Sequence, residues 1–107
     1  MDYEEKFSDR DLQKIVDEGL IYMCACPAQV AEAVRQLRSL YRYQTQCINT
    51  PDNASEVHRT IAHSVIQAHT QLQDCLDLVL ALEKWDRTTL TMPANLRVKQ
   101  AKAMVSD

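Results

Sequence analysis

The feature that most constrains the fold is a repeat of apolar residues with spacings of four and three. It runs from Val16 to Ile48 and keeps its phase through Pro27, and a second repeat with the same spacing runs from Ile61 to Leu82. Such spacings place side chains on one side of an α-helix, so each repeat predicts a long amphipathic helix. We expect helix and subunit contacts from Val16, Leu20, Met23, Val30, Val34, Leu37, Tyr41, Leu72, Val79, Leu82 and Trp85.

The start of the first helix is marked by local signals. Ser8 and Asp11 have the spacing of a capping box, in which each side chain bonds the backbone N–H of the other residue. Phe7 and Leu12 have the spacing of a hydrophobic staple. These signals predict that the helix begins at Asp9.

We expect one domain over all 107 residues. Its segments are a flexible N-terminus over 1–8, a first long helix over 9–48 that is kinked or broken near Pro27, a second long helix over 53–86, and a short third helix over 93–105. An Asn- and Pro-containing turn separates the two long helices.

The continuity of the first helix at Pro27 is the open question of the fold. Proline in a helix interior costs on the order of 3 kcal/mol, which favours a break. A column of small or apolar residues at intervals of seven argues for continuity; it consists of Leu12, Gly19, Cys26, Ala33, Leu40 and Cys47. The sequence therefore favours one kinked helix, with a break at Pro27 as the alternative.

The class indicated is all-α. Only one glycine and three prolines occur, which suits long helices with few turns. Three apolar columns bury a wider face than a two-stranded coiled coil requires. We therefore expect the helical hairpin to form a four-helix bundle as a homodimer. The alternative is a monomeric three- or four-helix bundle, broken at Pro27.

Composition argues against several classes of partner. The net charge of -3 gives no general attraction for nucleic acid. No stretch of the sequence has the roughly 20 apolar residues needed to span a bilayer, and the acidic first residues lack the basic region of a signal peptide. We expect a cytoplasmic protein with reduced thiols, no nucleic-acid or membrane partner and no cofactor.

Three cysteines are candidates for a thiol site. Cys26 is predicted to lie level with Cys75 in an antiparallel hairpin, and Cys24 is close to both along the chain. Such thiols at an irregular helix would bind zinc or copper, or form a reversible disulfide. The alternative is that they are small core residues.

The three histidines, His58, His63 and His69, lack the spacing of a metal site on one helix and are predicted to be solvated or singly hydrogen-bonded. His58 is the exception, because the hairpin register places it near Gln44 and Cys47, where a buried polar contact is expected.

Arginines recur on the first long helix at Arg35, Arg38 and Arg42. They would meet an acidic partner or, as is commoner for charge rows, lie on the solvated face. Glu-x-x-His, His-Glu-x-x-His, Cys-x-x-Cys, phosphate-loop and Gly-x-Ser-x-Gly motifs are absent from the sequence.

The sequence predicts a noncatalytic assembly or adaptor protein that acts through protein–protein contacts, as a homodimer with a further protein partner. Two alternatives remain. The first is a metal-binding or redox-sensing protein that uses Cys24, Cys26 and Cys75. The second is a bundle that binds a small ligand near Tyr41, Gln44 and His58.

Overall fold

A computed structural model describes residues 3–22, 26–48 and 55–93 of the chain. It contains the helices α1 (Asp9–Tyr22), α2 (Cys26–Ile48) and α3 (Ser55–Leu82). The all-α prediction is confirmed over these ranges, where pairing of the β type is limited to one isolated bridge. None of the described helices is long and apolar enough to cross a membrane.

The predicted capping box at the start of α1 is present. The Ser8 N–H donates to Asp11 Oδ2 at 3.0 Å, and the Asp11 N–H donates to Ser8 Oγ at 3.0 Å. Phe7 and Leu12 are both fully buried in the same apolar cluster, as a hydrophobic staple requires. Local residues therefore determine where α1 begins.

The chain reverses direction between α1 and α2. Leu12 of α1 shares an apolar cluster with Val34 of α2, and Asp9 Oδ1 lies 2.7 Å from Arg38 Nη1. In one continuous helix, Asp9 and Arg38 would be roughly 43 Å apart at 1.5 Å per residue. The two helices therefore pack antiparallel, which fits the predicted alternative of a break near Pro27 and does not fit the favoured single kinked helix over 9–48. Residues 23–25, between α1 and α2, lie outside the described residues, and Pro27 is in the first turn of α2.

Helices α2 and α3 form the antiparallel hairpin that the two repeats predict. The buried residues of each helix recur every three or four positions, but not all of them are apolar. On α2 they are Pro27, Ala31, Val34, Arg38, Tyr41 and Gln44; on α3 they are Ala62, Val65, His69, Gln73, Leu76 and Leu80. The buried seam therefore includes polar residues that the apolar repeats leave out.

Helix α3 ends four residues earlier than the expected position 86. The Trp85 N–H donates to the Leu80 carbonyl at 3.0 Å, and the Lys84 N–H donates to the Ala81 carbonyl at 3.1 Å. Lys84 has a φ of 59°, which is the left-handed conformation of a Schellman cap. The indole of Trp85 is buried in the apolar cluster beyond this cap.

The segment after α3 closes one end of the bundle. Leu90 and Met92 are buried in the same cluster as Leu12, and the Met92 N–H donates to Glu18 Oε1 at 3.0 Å. The segment thereby connects the C-terminal part of the described chain to α1. The third helix expected over 93–105 lies outside the described residues, apart from Pro93.

Residues 3–8, which the sequence assigned to a flexible N-terminus, pack along α2 and α3. Tyr3 is buried with Tyr41 and Val65, and Phe7 is buried in the main cluster. The aromatic side chains make this segment part of the core, because their burial removes a large apolar area from water.

Replacing Ser8 with Ala should lower the free energy of unfolding by about 1 kcal/mol, because an N-terminal N–H of α1 loses its acceptor. Urea denaturation followed by circular dichroism measures the change. Ser39→Ala, at an exposed position in α2, is the matched control and should stay within about 0.5 kcal/mol of the unsubstituted protein. An equal loss in both variants would contradict the capping role.

Candidate functional site

The most unusual side chain of the described chain is Arg38, a charged group with only 1% of its surface exposed. Its Nε donates to His69 Nε2 at 2.9 Å. Its Nη1 contacts Glu5 Oε1 at 3.0 Å and Asp9 Oδ1 at 2.7 Å, and its Nη2 contacts Gln73 Oε1 at 3.0 Å and the Phe7 carbonyl at 2.6 Å. These five contacts use the whole donor capacity of a guanidinium.

Gln73 is the second member of this buried polar site and is also 1% exposed. Its Oε1 accepts the N–H groups of Lys6 at 2.8 Å and Phe7 at 3.2 Å, and its Nε2 donates to the Glu4 carbonyl at 2.8 Å. One side-chain amide therefore pairs with three backbone groups of the N-terminal segment. Polar groups buried in this way contribute to stability only while their partners stay in place.

His69 is fully buried on α3 against Arg38. Because Nε2 accepts a hydrogen bond from the guanidinium, we assign the proton of the neutral ring to Nδ1, and Nδ1 has no hydrogen-bond partner. Burial, together with the charge of Arg38, lowers the pKa of His69 below its ordinary value of 6.5. The neutral ring is the form that this site accommodates.

Tyr3 covers the histidine from the N-terminal segment. Its ring centroid lies 4.2 Å from that of His69 and 5.2 Å from that of Tyr41, the latter pair in an edge-to-face arrangement. The Tyr3 hydroxyl is buried without a hydrogen-bond partner. Burial raises the pKa of this phenol, and the positive charge of Arg38 partly opposes the rise.

A polar cleft of about 490 Å³ borders this site between α1 and α2. Arg35, Arg38 and Arg42 line it together with Asp9 and Glu32. Arg35 pairs with Glu32 at 3.3 Å, while Arg42 is exposed. Of the three arginines in the row, one side chain is thus buried and two are accessible. The expectation that Arg38 lies on a solvated face is wrong.

The sequence reading missed the site because its members were judged one at a time. Arg38 follows Ala31 and Val34 at spacings of seven and four, and His69 follows Ala62 and Val65 at the same spacings. These spacings place Arg38 and His69 on the buried side of their helices. A polar residue on the buried side of a helix is a candidate for a buried polar site, and this is the signal that could have found it. Of the two expectations for His69, solvated or singly hydrogen-bonded, the structure shows the second: the ring is fully buried and makes one hydrogen bond, to Arg38.

The polar contact expected near the interhelix turn involves Gln44 and His58, and the structure brings these residues together. His58 Nδ1 lies 2.6 Å from Gln44 Oε1, and Gln44 is buried. Cys47 is partly buried on the same helix as Gln44. The contact joins α2 to α3 near the end of the hairpin.

The predicted thiol site is described only in part. Cys26 is exposed at the start of α2 and Cys75 is partly buried on α3, while Cys24 lies outside the described residues. Among the residues that the structure does describe, no three His, Cys, Asp or Glu side chains form a group able to hold a metal ion.

The residues expected at subunit contacts fall into two sets where their side chains are described. Val34, Tyr41 and Trp85 are buried within the chain, and Val16 packs partly buried against the core. The side chains of Leu20 and Met23 lie outside the described part. The remaining five belong to a surface that we call the uncharged face, although Val30, Leu37 and Leu72 among them also pack partly buried against the core. This face comprises Val30, Ala33, Leu37 and Leu40 of α2 and Ile61, Ala68, Leu72, Cys75, Val79 and Leu82 of α3.

Helical geometry at about 100° per residue places the uncharged face on the side of the α2–α3 hairpin away from α1 and the N-terminal segment. Leu82 is 72% exposed and Leu40 is 39% exposed. The Asp, Glu, Lys and Arg residues of α2 and α3 all lie outside this face; they are Glu32, Arg35, Arg38, Arg42, Glu56, Arg59, Asp74 and Asp77. Charge is therefore segregated to one side of the hairpin.

Comparison with known proteins gave no match to a family model, to a curated protein or to a solved structure.

Replacing Gln73 with Leu should lower the free energy of unfolding by about 2 to 4 kcal/mol, because the Lys6 and Phe7 N–H groups and Arg38 lose an acceptor. Gln67→Leu, at an exposed position on the same helix, should change it by less than about 0.5 kcal/mol. Urea denaturation at one protein concentration compares the two variants. A Gln73→Leu protein as stable as Gln67→Leu would contradict the structural role of the amide.

Stability should fall as the pH is lowered from 8 to 5.5. The folded chain resists protonation of His69, so below about 6.5 the unfolded chain binds a proton that the folded chain does not. The midpoint of thermal unfolding across this range measures the effect. His69→Gln, which keeps an acceptor for Arg38, should show a flatter profile, and identical profiles would exclude His69 as the cause.

Proposed function

We propose that this protein is a noncatalytic helical assembly protein that pairs with a second copy of itself through the uncharged face. The charged side of the hairpin then remains outward, where it is available to a further protein partner. The observation that carries the proposal is the segregation of charge, because apolar helix surfaces without charged residues are typical of buried interfaces.

The dimensions of the face suit this role. It extends over residues 61–82 of α3, which is about 32 Å at 1.5 Å per residue, and two packed helices give a width of about 20 Å. An area of this order approaches the roughly 800 Å² that each partner contributes to a standard interface. Two such faces in contact would form a four-helix layer with antiparallel neighbours.

The apolar pattern of the sequence also supports pairing. Six members of the second repeat, Ile61, Ala68, Leu72, Cys75, Val79 and Leu82, follow the uncharged face, and its remaining member, Val65, lies in the buried seam of the single chain. The seam buries Arg38, His69 and Gln73 under α1 and the N-terminal segment, while the more apolar stripe is left partly exposed. A second copy covering this stripe would remove exposed side chains such as Leu82 from water.

Light scattering coupled to size-exclusion chromatography should give twice the mass of one chain at about 100 μM. Ala68→Glu should shift the protein to monomer, because Ala68 is exposed in the single chain and its replacement would bury a charge only in the dimer. Thr70→Glu, exposed on the charged side of the same helix, should leave the dimer intact.

A concentration-independent monomer would overturn the proposal. A dimer that survives Ala68→Glu would show that pairing uses another surface. Dissociation by Thr70→Glu as well would point to a general effect of added negative charge. Circular dichroism checks that all three proteins keep the same helix content.

A further inference from the structure

The N-terminal segment, residues 3–7, is bound in the way that a peptide is bound by a receptor. Four of its hydrogen bonds involve backbone groups, which are the Glu4 and Phe7 carbonyls and the Lys6 and Phe7 N–H groups. The partner atoms belong to Gln73 and Arg38, two side chains that are almost completely buried and come from different helices. Hydrogen bonds to backbone groups hold a peptide whatever its side chains are.

The segment is anchored by the aromatic side chains at its two ends. Tyr3 and Phe7 are buried, whereas Glu4, Glu5 and Lys6 between them are exposed. Between the two aromatic residues, Glu5 places a carboxylate oxygen 3.0 Å from Arg38 Nη1. The occupant therefore presents an aromatic residue, an acidic residue two positions later and a second aromatic residue two positions after that.

The fit at Tyr3 is imperfect. The Tyr3 hydroxyl and His69 Nδ1 are both buried and both lack a hydrogen-bond partner. A buried polar group without a partner is unfavourable. A ligand that offers partners to these two atoms would therefore gain hydrogen bonds that the chain's own segment does not make.

We propose that the groove formed by Arg38, Gln73, His69 and Tyr41 is a peptide-binding site that the chain's own N-terminal segment occupies. Its ligand in trans is an acidic segment of a partner protein, with aromatic residues four positions apart and a carboxylate between them. We base this assignment on two observations. The carboxylate complements the charge of Arg38, and the N-terminal segment that now occupies the site has the same order of aromatic and acidic residues. This site is separate from the uncharged face.

Occupation by the tethered segment keeps the site closed. A short tether gives an effective concentration in the millimolar range, so a free peptide of equal intrinsic affinity competes poorly. Weakening the tethered segment should therefore open the site to a peptide in solution. The groove residues come from α2 and α3 and remain in the chain when the segment is displaced.

The experiment uses the full chain and a fluorescent peptide with the sequence of residues 1–9. Fluorescence anisotropy measures binding to the unsubstituted protein and to the double variant Tyr3→Ala, Glu5→Gln, in which the tethered segment loses one aromatic anchor and one carboxylate. We expect the double variant to bind the peptide at least tenfold more tightly than the unsubstituted protein. A peptide carrying Glu5→Lys should lose this binding, because it places a positive charge against Arg38.

Three results would overturn the proposal. They are absence of binding to a folded double variant, equal binding of the peptide and its Glu5→Lys form, and equal binding to the unsubstituted and double-variant proteins. Circular dichroism establishes folding, with Tyr3→Ala alone as the milder variant. Unfolding of both variants would also overturn the proposal, since a replaceable occupant must leave the rest of the chain folded.

Discussion

The fold depends on the burial of one positive charge. The Arg38 guanidinium is enclosed by α2, α3 and the N-terminal segment, and a charge in that position is tolerated only because each donor has an acceptor. Glu5 and Asp9, both partly exposed, provide the compensating negative charge. The N-terminal segment is thereby fixed beside the hairpin, since its displacement would leave the guanidinium short of partners unless another acidic group replaced it.

This arrangement explains why the two sides of the hairpin differ. The side that carries Arg38 and Gln73 is covered by the chain itself, through α1 and the N-terminal segment. The opposite side carries apolar side chains without charge and is covered by no described helix. The chain thus buries four polar side chains of α2 and α3 within a mostly apolar seam and leaves a second apolar stripe partly exposed. The proposed homodimer and the proposed peptide site use these two sides separately.

Sequence reasoning was most successful where the physics is local. The capping box of Ser8 and Asp11 defines the start of α1 through hydrogen bonds between residues three positions apart. It was less successful at Pro27, where a column of small or apolar residues at intervals of seven favoured one kinked helix over the alternative of a break. Antiparallel α1 and α2 also bury apolar residues of both segments, because Leu12 of the column meets Val34, a residue outside it, across a reversal of the chain. A periodic pattern specifies which side of a helix is apolar, and it does not specify which helix that side contacts.

The amino-acid sequence by itself determined the helical class, the start of α1 and the pairing of α2 with α3, because propensity, capping and periodicity act over a few residues. Tertiary structure alone decided that Arg38, His69 and Gln73 form one buried site, since these side chains meet only after the N-terminal segment packs across two helices. It also decided which apolar stripe is buried and which remains exposed. Side-chain burial depends on the placement of segments far apart in the chain, and residue spacing within one helix carries no information about that placement.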